Sequence, residues 1–311
     1  MKHSVKITLI LLCMFFIAQI IGIIVINLYQ PEVRQVLDEN GTLINVTSYN
    51  LPYGVDPPQG VTPGASLLSI LIAIVIAVCA MFFLMKFGAN VFLRIWFFVV
   101  IVLALGIAIN AFILDIKYAS LIAFIIALPL AFFKVFKRNI IVHNATELLV
   151  YPGISAIFVP LLNIWTICIL LILISLYDMY AVWHSGHMQK MAKYQISKLK
   201  IFSGFFIPYL GKKDKELISG EKKSIKIKSK KIKVSVAILG GGDVVFPIIL
   251  AGVVLRTLGF LPAMLIAVGA TAALASLFYI SEKGKFYPAM PFITMGCFIA
   301  LAVDYLIIYL L

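Results

Sequence analysis

Apolar runs of about 20 residues, the length a helix needs to cross a bilayer core, recur along the whole chain and constrain its fold more than any other feature. They fall at 5–29, 65–86, 91–114, 118–136, 145–161, 163–184, 234–255, 257–280 and 287–310. A soluble core has no use for a chain that is 63% hydrophobic and only 13% charged. The runs therefore predict an all-α polytopic membrane protein with nine transmembrane helices. The first run follows a short basic lead, Lys2 and Lys6, as a signal peptide does. It exceeds the usual apolar region of about 7–15 residues, however, and no small-residue cleavage site follows it, so it reads as a span. Pro129, Pro152 and Pro160 predict kinks in the fourth and fifth spans. Cys13, Cys79, Cys168 and Cys297 all lie in apolar runs and give neither a disulfide framework nor a zinc spacing.

The formal net charge of +13 does not call for nucleic acid, because the excess basic residues lie between spans, where they set orientation. With the N-terminus inside, all of the 26 Lys and Arg except Arg34, Lys117 and Arg256 fall on the inner side. This predicts a multi-pass cell-membrane protein with a cytoplasmic N-terminus, a cytoplasmic 185–233 loop and an outside C-terminus. The chain then divides into a six-span part, 1–184, a basic loop, 185–233, and a three-span part, 234–311. The polar first loop, 30–64, carries two weak Asn-x-Thr triplets, at Asn40 and Asn45. In the basic loop, Met188, Met191, Ile196 and Leu199 among lysines suit a helix lying on the membrane surface. From Ser224 to Val236, apolar residues alternate with lysines, the period of a strand, with a turn at 229–231; a small β-hairpin before the seventh span is one reading. A basic linker touching anionic lipid is the other.

Carboxylates inside the spans are the next constraint. Each costs roughly 2.5–3.5 kcal/mol on insertion scales, so each is a functional-site hypothesis. Asp243 interrupts the apolar stretch 236–250, VAILGGGDVVFPIIL, which otherwise reads as a membrane helix, and it follows Gly240, Gly241 and Gly242. Three adjacent glycines admit a close backbone approach and weaken a helix by about 1 kcal/mol each. The plainer reading is a polar residue at a tight helix crossing. Asp178 lies about five residues, roughly 8 Å of rise, from the inner end of the sixth span. Asp243 lies about ten residues from the inner end of the seventh, which runs the opposite way, so the two can face each other. Two such carboxylates cannot both ionise cheaply, and one retains a proton. That is the electrostatic condition for one to act as general base on a water while the other polarises a peptide carbonyl. The ninth span opens with Pro288 and Pro291, which disfavour helix at a depth where irregular backbone must line protein or a wet cavity.

Tyr177-Asp178, then Gly240-Gly241-Gly242-Asp243, then Pro288-Ala289-Met290 resemble the YD, GxGD and PAL motifs of the presenilin and signal peptide peptidase family. Their order, the nine spans and the long loop before the second motif extend the resemblance over most of the chain, and its length is most similar to archaeal presenilin homologues. The resemblance implies an intramembrane aspartyl endopeptidase with Asp178 and Asp243 as its catalytic pair. It implies Tyr177, the three glycines and Pro288, Ala289 and Met290 as substrate-binding positions, transmembrane segments as substrates within the lipid bilayer, and no cofactor or metal. The chain departs from the pattern at Met290, where the family has leucine, and at Gly241, where presenilins carry leucine and this chain lacks a side chain beside the water. To these positions we add Val234 and Ser235 as strand residues able to pair with an unwound substrate.

Other polar residues carry less. Asp304 falls near the far face and reads as a packing or interfacial residue. Glu147 and Asp115 fall at span ends, where snorkelling suffices. His184 and His187 have a His-x-x-His spacing but no further ligands. His-Glu-x-x-His is absent, and Gly64-Ala65-Ser66 and Gly153-Ile154-Ser155 are not followed by glycine, so zinc and rhomboid-like serine chemistry have no support. An ion- or proton-coupled transporter is the alternative, since buried carboxylates and broken helices also build ion sites. Transporters place such sites at the midplane of matched halves; here the irregularities gather in the last third of the chain. A purely structural protein leaves two buried carboxylates unexplained. Oligomeric state is not readable from the sequence.

Overall fold

The computed structural model describes residues 5–37, 43–58, 61–137, 139–185, 194, 201, 203–210, 234–282 and 287–310. Among them are nine helices long and apolar enough to cross a membrane. They are α1 (Val5–Leu28), α2 (Pro63–Lys86), α3 (Asn90–Ala111), α4 (Ala119–Phe136), α5 (Ile140–Phe158), α6 (Ile164–Tyr180), α7 (Gly241–Leu258), α8 (Phe260–Ile280) and α9 (Met290–Leu310). Two antiparallel strand pairs accompany them: β1 (Glu32–Leu37) with β2 (Leu43–Ser48), and β3 (Gly204–Leu210) with β4 (Val234–Gly240). The first pair lies in the loop read from sequence only as polar.

Helix α7 is the axis of the bundle, packed against α1, α5, α6, α8 and α9. Val244, Ile248, Leu250, Ala251 and Val254 are fully buried there. In lipid such packing comes from close approach of backbones, which small residues allow. A Cβ on Gly22 of α1 would collide with Ile248 Cγ2. At the crossing of α8 and α9, a Cβ on Gly269 would meet the Gly296 carbonyl oxygen at 2.6 Å. Helix α2 is peripheral, with Ser66, Ile70 and Met81 its buried residues.

Pro160 ends α5 in a 3-10 turn, Val159–Leu161, while Pro129 and Pro152 are carried inside α4 and α5. Ser155 Oγ, near Pro152, donates to the Tyr151 carbonyl at 2.9 Å. Helix α6 starts with a full capping box, Asn163 with Thr166, and passes after Tyr180 into a π-turn, Ala181–Ser185.

One expectation is corrected outright. Residues 234–240 are a strand, not the first two turns of the seventh span, and helix begins at Gly241. Among the described residues β4 pairs with β3, Gly204 opposite Gly240 and Leu210 opposite Val234. The alternating run at 224–233, the surface helix with Met188, Met191, Ile196 and Leu199, and His187 lie outside the described residues.

Candidate functional site

The site is built where α6, α7, α9 and the β3–β4 sheet meet. Asp178 is two residues before the last residue of α6 and is 5% exposed. Its Oδ2 accepts a hydrogen bond from the Met290 backbone N–H at 3.1 Å, and the Ala289 backbone is also bonded to this carboxylate. Pro288 and Ala289 are non-helical, and α9 begins at Met290 with Pro291 next. The first N–H groups of a helix have no partner within it, and here one is aimed at a carboxylate. One turn away on each helix, Ser175 Oγ and Thr294 Oγ1 are 2.8 Å apart, a second polar tie between α6 and α9. The sequence reading missed this pair. Its signal is the spacing, Ser175 three before Asp178 and Thr294 four after Met290, which puts each on the face of its helix that bears the first tie.

Asp243 is the third residue of α7, and Gly240 is the N-cap. The carboxylate reaches back to the Gly240 backbone, the returning half of a capping box, and it feels the charge of Asp178. Its depth is set by the end of strand β4 rather than by several turns of helix, which corrects the expected ten-residue offset. Asp178 and Asp243 therefore come together at one end of the bundle, each within the last or first turn of its helix.

The three glycines are not equivalent. A Cβ on Gly240 would lie 3.1 Å from Asp243 Oδ2. One on Gly241 would lie 2.9 Å from Ser203 Oγ and 3.0 Å from Tyr151 Cε1. One on Gly242 would find Phe246 at 3.7 Å, an ordinary contact. The side chain missing at Gly241 thus leaves no gap; Tyr151 and Ser203 occupy its place. Tyr151 is fully buried and packs edge-on against Phe205 of β3, ring centroids 5.4 Å apart.

The sheet's hydrogen bonding follows from its partners. Phe206 bonds Asn144 of α5 through both its N–H and its C=O, and Gly204 bonds Glu147 and His143 of α5 in the same way, so both residues face away from β4. The Gly241 N–H donates to the Ser203 carbonyl at 3.3 Å, which places the odd-numbered β3 residues toward β4. Antiparallel ladders alternate. Ser235, Ala237 and Leu239 therefore bond β3, while Val234, Val236 and Ile238 turn their backbone groups to β4's outer edge. Of the two strand positions singled out from sequence, Val234 is on that edge and Ser235 is in the ladder.

The remaining residues fall as follows. Tyr177 is exposed on α6. Glu147 does not snorkel: it is 1% exposed and pairs with an equally buried Lys134 at 2.8 Å. Asp115 is exposed, and Asp304 is buried within α9. His184 stacks on Tyr180. Among the described residues no cluster of three or more His, Cys, Asp or Glu is arranged to hold a metal.

The family model described as signal-peptide peptidase, presenilin aspartyl protease matches residues 53–310. Two crystal forms of a presenilin family intramembrane aspartate protease have this fold, with TM-scores of 0.60 and 0.58 at 17% identity. The alignments cover 96% of this chain in both cases, and 99% and 96% of those chains. No curated protein sequence matches this one.

Proposed function

The chain belongs to the signal-peptide peptidase and presenilin family of intramembrane aspartyl proteases, and from that membership we propose that Asp178 and Asp243 are its catalytic pair and unwound transmembrane segments its substrates. The observation that carries this is the joint placement of the two carboxylates at one end of the bundle, each against backbone N–H groups of an irregular segment.

In this reading one aspartate is ionised and takes a proton from a water lying between them. The other, protonated, polarises the scissile carbonyl and then protonates the leaving nitrogen. The pair titrates as a unit. The Met290 N–H holds one Asp178 oxygen so that the other faces the water, and the Gly240 backbone does the same for Asp243.

Hydrolysis requires extended backbone, since a helix buries the scissile carbonyl in its own bonds, and unwinding in lipid leaves several kcal/mol of unpaired groups at each peptide. The outer edge of β4 offers Val234, Val236 and Ile238 as receivers, and it ends at Gly240, which the Asp243 carboxylate reaches. A substrate strand added there runs directly to the aspartates. The N-terminus and the 185–233 loop lie on the cytoplasmic side in this proposal, and the loop joins the two catalytic parts of the chain.

The test is cleavage of a synthetic transmembrane peptide by the purified chain in liposomes, with fragments identified by mass, for wild type, Asp178→Asn and Asp243→Asn. Wild-type turnover with both variants silent is expected. Near wild-type turnover in either variant removes the aspartyl mechanism.

A further inference from the structure

The α4–α5 corner holds polar groups that the proposed chemistry does not use. Lys134 and Glu147 are both almost fully buried and paired at 2.8 Å. Glu147 Oε1 also accepts from the Gly204 N–H at 3.2 Å. His143, four residues before Glu147 and so on the same helix face, places Nε2 2.9 Å from the Gly204 carbonyl oxygen. Asn144 accepts from the Phe206 N–H at 3.0 Å and donates to the Phe206 carbonyl at 2.9 Å. Two residues of β3 thus have both backbone groups satisfied by side chains of a helix, in the positions a third strand would fill.

A two-stranded sheet has two open edges, each able to receive an extended peptide. Here the β3 edge is occupied at Gly204 and Phe206. The same residues stand opposite Gly240 and Ile238, so fixing them fixes the end of β4 from which α7 and Asp243 start. Tyr151, one turn beyond Glu147 on α5, braces Phe205 and the backbone of Gly241. An ion pair buried in a membrane corner is a poor source of stability, but it holds Glu147 where Gly204 needs an acceptor.

We propose that Asn144, His143 and Glu147, with Lys134 orienting Glu147, are positioning residues that close the β3 edge, leave β4 as the receiving edge and set the height of Asp243. This rests on the aspartyl protease reading above. A shift of the Gly240–Asp243 junction moves a reacting group, and displacements of about 1 Å are worth on the order of 100-fold in rate. The signature is therefore in kcat, not in KM.

The experiment uses the full chain in liposomes with a Lys-flanked Leu/Val transmembrane peptide of about 25 residues. Asn144→Leu is expected to lower kcat at least about tenfold, with KM within about threefold and the melting temperature within about 3 °C of wild type, inside the range of a 1 kcal/mol change. Cross-linking adds a geometric arm. Phe206 and Ile238 are directly opposite and share a face, so cysteine at either reports which edge the peptide occupies. With Cys13, Cys79, Cys168 and Cys297 replaced by alanine and Asp243→Asn to halt turnover, a cysteine-bearing peptide is expected to link to Ile238→Cys and not to Phe206→Cys. Adding Asn144→Leu is expected to bring linkage at Phe206→Cys. Linkage at Phe206→Cys with Asn144 intact, or wild-type kcat in Asn144→Leu, overturns the proposal. If Asn144→Leu does not fold, Lys134→Met/Glu147→Gln and Lys134→Met/Glu147→Leu decide. Both lack the charges, but only the first keeps an acceptor for Gly204, and it is expected to exceed the second at least about tenfold in kcat; equal turnover overturns the proposal. A wild-type chain that fails to cut the peptide counts against the protease reading, while the cross-linking pattern still reports the clasp.

Discussion

Alanine at each of the three glycines should produce three different phenotypes, because the structure gives each a different neighbour. At Gly241 the new Cβ meets Ser203 Oγ at 2.9 Å and Tyr151 Cε1 at 3.0 Å. The tyrosine ring cannot retreat, since Phe205 stands edge-on behind it and the residue is 1% exposed. Overpacking of this kind costs about 1–3 kcal/mol. Alanine returns at most about 1 kcal/mol of helix propensity, and less in a first turn. The net loss is about 1–2 kcal/mol, a fall of several degrees in melting temperature. At Gly242 the nearest atom is 3.7 Å away, so only the propensity gain remains and stability should hold or rise. At Gly240 the Cβ lies 3.1 Å from Asp243 Oδ2, so the carboxylate must give way by a few tenths of an ångström. That change should spare stability and lower kcat several-fold. Thermal unfolding followed by tryptophan fluorescence, beside peptide cleavage on the same preparations, separates the three. Identical shifts at 241 and 242, or a wild-type kcat for Gly240→Ala, would refute the packing argument.

Three further outcomes follow from the same geometry. Asp178→Asn and Asp243→Asn should each lower turnover by more than about 10³, and the double variant should be no worse than either, as groups acting as a unit behave; multiplied losses in single-turnover assays would argue against a pair. Proline at Val236 or Ile238 removes a donor from β4's outer edge and should impair cleavage with little thermal shift, whereas proline at Ser235 or Ala237 breaks the ladder and should lower the melting temperature; replacing Lys226 or Lys228 by glutamine should matter much less than either. Cysteines placed in the 185–233 loop should react with an impermeant thiol reagent only in opened cells, and labelling of intact cells would invert the proposed topology.

The spans, the two aspartates as candidates and the irregular backbone at Pro288 and Ala289 were legible because each rests on a strong local signal. Hydropathy marks spans, a charge inside a span stands out, and Pro288 disfavours helix before it, while Pro291 is carried in the first turn of α9. The start of α7 was not legible. Val234–Gly240 reads VSVAILG: the alternation stops at Val236, and the apolar run 236–239 that follows fits a short buried strand and a helix turn equally well. Its partner among the described residues, GFFIPYL at 204–210, is aromatic, β-branched and bounded by glycine, a strand signal that the sequence reading passed over. The α5 clasp was hidden by a boundary. Starting the fifth span at 145 instead of Ile140 left His143 and Asn144 outside it and made Glu147 look like a terminal charge. A carboxylate two turns into a helix, with a lysine near the end of the preceding one, is the pattern that a corrected boundary exposes.

The strand-to-helix junction also bears on the transporter alternative. A transporter places carboxylates near the midplane, where broken helices coordinate ions with carbonyls and exclude extended peptide. In this chain Asp178 and Asp243 lie in the end turns of α6 and α7, and α7 spans about 27 Å from Gly241 onward, nearly the whole hydrocarbon core. Asp243 is in the first turn of α7, beside the end of strand β4 at Gly240. A continuous helix through 234–240 would have brought the same carboxylate about 10 Å deeper, with its backbone groups consumed internally. In the proposed reading, ending the strand at Gly240 carries the outward donors of β4 up to the residue that would use them. The glycines make this possible at Gly241, where Tyr151 and Ser203 leave no space for a side chain. The GGGD stretch turns extended backbone into helix within one residue, from Gly240 to Gly241, and puts Asp243 in the first turn.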